Sequence, residues 1–226
     1  MKKLHIVSHT HWDREWYDTF QTFRRKLVGL VDELLDVMEN NENYRFFHTD
    51  GQTIMLEDYL KIRPENEERL RKLIQSGRII IGPWYVMPDE FLVSGESLVR
   101  NIQKGLDICK KYEVPPMNNG YVSDIFGHNS QMPQILCKFD INSATVLRGF
   151  GKYDRSFVKW MSPDGSVVNA IKLDKGHGYG NFYLSVRRPF IGVEPTDGGE
   201  YTKEEVQKRL KDHIDSFKDL GLTLEC

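Results

Sequence analysis

Leu4-His-Ile-Val-Ser8-His9-Thr-His11-Trp-Asp13 is the stretch from which the fold can be read. A short apolar run passes directly into alternating polar, titratable side chains, as a buried strand does when its C-terminal end opens into a site. A helical period follows: Phe23, Leu27, Leu30, Val31, Leu34 and Met38 share one face of residues 20–38. Strand and helix then alternate. Residues 44–47 read as a strand, residues 65–75 as a helix with Pro64 near its first turn and Gly77 as its stop, and residues 78–81 as a strand. Ser94 is placed to cap a helix over residues 95–112 that turns Leu98, Val99, Ile102, Leu106 and Cys109 to one side, and Pro115-Pro116 ends that segment. Residues 120–123 and 143–147 read as strands around a helical stretch at 131–138. Ser162-Pro-Asp-Gly165 is the turn of a hairpin between residues 157–161 and 167–173. Thr202 and Glu205 form a capping box for a last helix expected to bury Val206, Leu210, Ile214 and Phe217 and to end at Gly221. The alternation predicts an α/β fold with a parallel sheet or barrel in one domain over residues 1–226. Residues 222–226 begin a further apolar alternation, so the chain reads as part of something longer.

Composition narrows the function. With 31 basic against 33 acidic residues the net charge is −2, which leaves no basic excess to hold a phosphate backbone, so nucleic acid is not the expected partner. The apolar run at the N-terminus is far short of the ~20 residues of a membrane span and of a secretory signal, so a cytoplasmic location is expected. Cys109, Cys137 and Cys226 have no CxxC spacing, which argues against a disulfide framework and a thiolate metal site.

The titratable residues cluster after the strands: His9, His11 and Asp13, then Asp50, then residues 84–90, then Asp124 and His128, then Arg148. In parallel α/β folds these strand ends share one face, so the five loops are expected to converge. Residues two apart on extended backbone point the same way, and two imidazoles with a carboxylate suit a zinc ion or another divalent metal. Asp124 could serve as metal ligand, nucleophile, general base or simply a helix N-cap. Trp84 and Asp89 combine an aromatic face with an acid, a pairing suited to sugar, although Trp84 and Tyr85 serve equally well as core. Asp50-Gly51 alone reads as a turn.

His9-Thr-His-Trp-Asp-Arg-Glu-Trp16, Gly82-Pro-Trp-Tyr-Val-Met-Pro-Asp-Glu90 and Asp124-Ile-Phe-Gly-His128, in this order, resemble the N-terminal catalytic domain of glycoside hydrolase family 38, the α-mannosidases, in its bacterial variant. The resemblance implies an incomplete seven-stranded β/α barrel, with the helical-bundle and β-rich domains of the family absent. It also implies a retaining, zinc-dependent α-mannosidase acting through a covalent glycosyl-enzyme. Under it Zn2+ is held by His11, Asp13 and Asp124, with His9 a neighbour instead of a ligand. Asp124 is also the nucleophile, Trp16 and Phe126 face the sugar, and Arg148 stands beside the nucleophile. The fourth ligand and the proton donor are implied to follow residue 226, so this segment alone is expected to be inactive. The implied partner is an α-mannoside oligosaccharide or a mannosyl conjugate, and a homo-oligomer is compatible with the sequence. Two other classes remain open at this point: a metal-dependent carbohydrate deacetylase, in which the metal activates water, and a zinc-stabilised sugar-binding module without turnover.

Overall fold

Apolar spacing along residues 20–40 does produce a helix, α1 (Phe20–Asn40), and its buried residues Phe23, Leu27, Val31, Leu34, Leu35 and Met38 follow the expected stripe. The computed structural model describes residues 6–151, 155–173, 178–180, 182, 186, 190–191, 194–195 and 201–219. It divides into two compact units, Val7–Leu173 and a second made of Met1–Ile6 with Asp174–Cys226.

In the larger unit α1 is followed by β1 (Phe47–His48), α2 (Ile54–Leu60), a 3-10 turn at Pro64–Asn66, α3 (Glu67–Gln75) and β2 (Ile79–Ile80). Then come α4 (Gly95–Lys111), β3 (Gly120–Val122), α5 (Met132–Lys138), β4 (Ser143–Val146), β5 (Phe157–Met161) and β6 (Val167–Lys172). β1 and β2 pair in parallel, and single parallel bridges join His9 to His48 and Gln52 to Trp84. β3, β4 and β6 run parallel, and the hairpin partner β5 lies antiparallel on the outer edge, giving the order β3-β4-β6-β5. The fold is therefore mixed α/β, and the sheet is not wholly parallel because the turn at residues 162–165 returns the chain directly. Among the described residues the strands do not close into a barrel.

Two apolar clusters hold this unit. One gathers α1, α2, α3, β1 and β2 around Leu27, Leu35, Met38, Tyr59 and Ile79. The other gathers α4, α5, β3, β4 and β6 around Trp84, Ile102, Val122, Leu136 and Val146. Ser94 caps α4, its hydroxyl accepting from Ser97 N at 3.1 Å. Gly105 lets this helix lie directly on the chain after β2, since a Cβ there would come 2.1 Å from the Pro83 carbonyl oxygen. Asn101 of the same helix finishes the contact, accepting from Tyr85 N at 2.9 Å and donating to Val86 O at 2.7 Å.

Several expectations change. Among the described residues the first strand is present as the His9 bridge to His48, and Ile6 and Val7 are 52% and 65% exposed instead of buried. Residues 4 and 5 lie outside the described residues. α2 had no periodic signal strong enough to announce a helix in seven residues. In the smaller unit, β7 (Phe190–Ile191) and β8 (Glu194–Pro195) pair antiparallel, and α6 (Lys203–Asp219) begins with the expected capping box. Thr202 N donates to Glu205 Oε2 at 2.8 Å and Glu205 N to Thr202 Oγ1 at 3.3 Å. Val206, Leu210 and Ile214 are half-buried instead of buried, and Gly221 lies outside the described residues. No described helix is long and apolar enough to cross a membrane.

Candidate active site

The loops that leave β1, β2, β3 and β4 meet, as the sequence led us to expect, and side-chain contacts define the meeting point. Asp50, on the turn after β1, is completely buried. Its Oδ2 lies 2.8 Å from His11 Nδ1 and accepts from Gln52 Nε2 at 3.3 Å and from Trp12 N at 3.4 Å. Burial pushes the Asp50 carboxyl pKa up, while the hydrogen bond to His11 opposes that rise. An ionised carboxylate can only accept, so this contact assigns the imidazole proton to Nδ1.

The other imidazole nitrogen faces two acids. His11 Nε2 lies 3.1 Å from Asp124 Oδ2 and 3.5 Å from Asp13 Oδ1. Burial works against the charged imidazole, yet the hydrogen bonds to Asp124, Asp13 and Asp50 outweigh it and push His11 up to about 12. The carboxylates around His11 thus favour positive charge, carried on the imidazole itself or, with its Nε2 proton displaced, on an ion beside it. Two donors bonded to one tetrahedral zinc at 2.0–2.1 Å are about 3.3 Å apart, so both separations suit a shared ion. The donor types fit as well, one imidazole and two carboxylates. Among the described residues, however, no group of three or more His, Cys, Asp or Glu side chains is already arranged to hold a metal ion.

Asp124 does not cap a helix, since α5 starts at Met132 with Gln131 before it. Arg148, just past β4, donates through Nη1 to Asp124 Oδ1 and to the Asp124 carbonyl oxygen, the latter at 3.1 Å. The same guanidinium sits 4.9 Å from the centre of the Phe126 ring. Phe126 and Trp16 are 70% and 67% exposed, leaving aromatic surface open to a ligand. His9 stacks on His48 with centroids 4.8 Å apart, meets Tyr121 edge-on at 6.0 Å, and has its Nδ1 4.0 Å from Asp50 Oδ1.

Trp84 requires a correction. It was expected beside a sugar, but it is fully buried among the α4 and β3 side chains and has no face to offer. The close seating of α4 on residues 82–84 is the physical reason. Asp89 is half-buried on the same loop, with no contact drawing it to Asp124 among those the structure shows. Gln52 was overlooked as part of a turn, yet it ties two loops together, donating to Trp12 O at 2.9 Å and accepting from Met87 N at 3.0 Å. Arg14 was likewise missed. It makes a bidentate pair with the buried Asp58 of α2, at 2.7 and 3.1 Å, and so pins the loop that carries His11 and Asp13. An Asp-Gly-Gln at a strand end and an Arg next to a candidate ligand were the available signals.

Known proteins are similar to this sequence. A curated relative from Halalkalibacterium halodurans, named "Putative mannosylglycerate hydrolase", is 44% identical over 193 residues, covering 80% of this chain and 22% of that protein. An alpha-mannosidase of Saccharomyces cerevisiae is 28% identical over 177 residues, covering 74% of this chain and 16% of its own length. The crystal structure of an alpha-mannosidase from Enterococcus faecalis V583 superposes with a TM-score of 0.78 at 33% identity, over 92% of this chain and 22% of that one. The chain thus spans about a fifth of the length of such relatives. A family model, Glycosyl hydrolases family 38 N-terminal domain, matches residues 1–221, which with the shared fold means that this chain belongs to glycosyl hydrolase family 38.

Proposed function

We propose that this chain supplies the nucleophile and three metal-binding side chains of a retaining, zinc-dependent α-mannosidase. The observation that carries the reading is His11, held by a buried carboxylate on one side and presented to Asp124 and Asp13 on the other. His11, Asp13 and Asp124 would hold the ion, and His9 would not. Bound there, zinc would supply Lewis-acid attraction for the sugar hydroxyls and fix the ring in place. Asp124 then attacks the anomeric carbon through a carboxylate oxygen and forms a glycosyl ester, while the glycosidic C–O bond breaks and the leaving oxygen takes a proton. Arg148 pairs with the attacking carboxylate and orients it, and Phe126 and Trp16 offer ring faces to the sugar. Water later cleaves the ester, giving net retention. The proton donor is assigned to the part of the relatives that this chain does not span, as are the remaining strands of a seven-stranded barrel.

The substrate in this reading is an α-linked mannoside. A mannosyl conjugate with a small acidic aglycone has the better support over an oligosaccharide, because the relative with 44% identity carries the name of a mannosylglycerate hydrolase. The reading places the enzyme in the cytoplasm. The test is proton NMR of the first-formed product from an aryl α-mannoside, using the full-length polypeptide that carries this segment. α-Mannose as the initial anomer is expected; β-mannose, or acetate release from acetylated sugars without glycosidic cleavage, would refute the mechanism.

A further inference from the structure

Glu90 lies in the loop between β2 and α4, is 3% exposed, and has no part in the chemistry above. Its Oε1 lies 2.8 Å from His128 Nδ1, and its Oε2 accepts from Asn129 N at 2.8 Å and from Asn129 Nδ2 at 3.1 Å. A carboxylate with both oxygens engaged in this way is poorly suited to attack a sugar or to shuttle protons. It is well suited to hold the chain just past Asp124 in one place. The contact also fixes the His128 proton on Nδ1.

His128 in turn is wedged between elements. Its ring meets Trp160 edge-on at 4.7 Å and Phe150 at 5.4 Å. At Gly149, where φ is +85°, a Cβ would come 2.7 Å from His128 Cδ2, so only glycine lets that turn pass so near the imidazole. Gly149 directly follows Arg148, whose guanidinium holds Asp124. One imidazole therefore touches both the turn that carries Asp124 and the turn that carries its arginine.

We propose that Glu90 is a positioning residue: through His128 it sets the Asp124 turn and the Arg148 turn in one mutual arrangement, so that the nucleophilic carboxylate is paired and aimed. This rests on Asp124 being the nucleophile. Glu90 itself does not reach the sugar. Replacing it with glutamine keeps the shape and the contacts to Asn129, but sets an amide N–H against His128 Nδ1–H. Relief requires the His128 proton to move to Nε2, an atom that is buried without a hydrogen-bond partner in the structure.

The experiment compares wild type, Glu90→Gln and His128→Gln in the full-length polypeptide. Turnover of 4-nitrophenyl α-mannoside is normalised to sites labelled by a fluorinated mannosyl trap, so that unfolded protein does not count, and crystal structures of the variants accompany the kinetics. Both variants are expected to lose about 10- to 100-fold in kcat per labelled site while KM changes by less than about threefold, with the Asp124–Arg148 pair opened in the crystal. Wild-type kcat per site in either variant, or an intact Asp124–Arg148 pair in both variant structures, would overturn the proposal. If the trap labels a residue other than Asp124 in the wild type, the proposed nucleophile is wrong. The crystal comparison then decides the Glu90 inference by itself, because the Asp124–Arg148 pairing needs no substrate.

Discussion

Asp50 Oδ2 sits 2.8 Å from Nδ1 of His11, and Asp50 has no exposed surface at all. A buried carboxylate is costly unless its charge is answered, and here the answer is an imidazole whose far nitrogen points at two further acids. The pair therefore fixes the orientation of His11 before any ligand arrives, which is the arrangement by which outer carboxylates steer metal-binding histidines.

Asp50→Asn should accordingly weaken zinc retention by about 10- to 100-fold while leaving the three proposed ligands in place. Zinc remaining after dialysis against a graded series of chelator concentrations measures this. Retention equal to wild type would show that Asp50 serves the fold alone.

His11→Ala and Asp13→Ala should abolish stoichiometric zinc, whereas His9→Ala should keep it, since the proposed ligand set is His11, Asp13 and Asp124 and the His9 ring is stacked on His48. Metal analysis of the purified variants separates the cases. Equal loss in all three would contradict the ligand set.

His48 gives a pH dependence. Burial, helped by the charge of His9, lowers its pKa from 6.5 to about 3, so the folded protein keeps it neutral. Between those values the unfolded chain binds a proton that the folded chain refuses. Stability from this group is complete above pH 6.5 and falls as the pH drops toward 3, by up to about 1.4 kcal/mol for each pH unit. His48→Gln should flatten urea-denaturation midpoints measured from pH 7 to pH 4 relative to wild type. Parallel curves for the two proteins would rule this out.

The contact of α4 with the loop after β2 is equally open to test. Gly105→Ala forces a methyl group against the Pro83 carbonyl and should cost about 1–3 kcal/mol or more, despite the better helix propensity of alanine. A chemical-denaturation midpoint at or above that of wild type would mean that the helix can shift without penalty.

Much of this site could be read in the sequence because chemistry there follows strand ends. His11, Asp13, Asp124 and Arg148 were named from motifs at those ends, and the structure brings them together. Helices α1, α3 and α4 were legible through their apolar period and their caps. The rest depended on three-dimensional packing. Trp84 reads as a sugar platform only until Gly105 lets α4 cover it, and the stacking of His9 on His48 follows from a pairing of distant segments. In the sequence Asp50 reads as a turn residue and Glu90 as one acid of the cluster at residues 84–90. Their roles come from partners 39 and 38 residues away, His11 and His128, which no local pattern reveals.

In the proposed mechanism Asp124 carries the glycosyl group. Incubation of the full-length polypeptide with a fluorinated mannosyl trap, followed by proteolysis and mass spectrometry, locates the ester. A single mannosyl ester on Asp124 is expected, with Asp124→Asn unlabelled and its kcat lower by several orders of magnitude. A label on Asp89 or any other carboxylate, or substantial retaining turnover by Asp124→Asn, would contradict it.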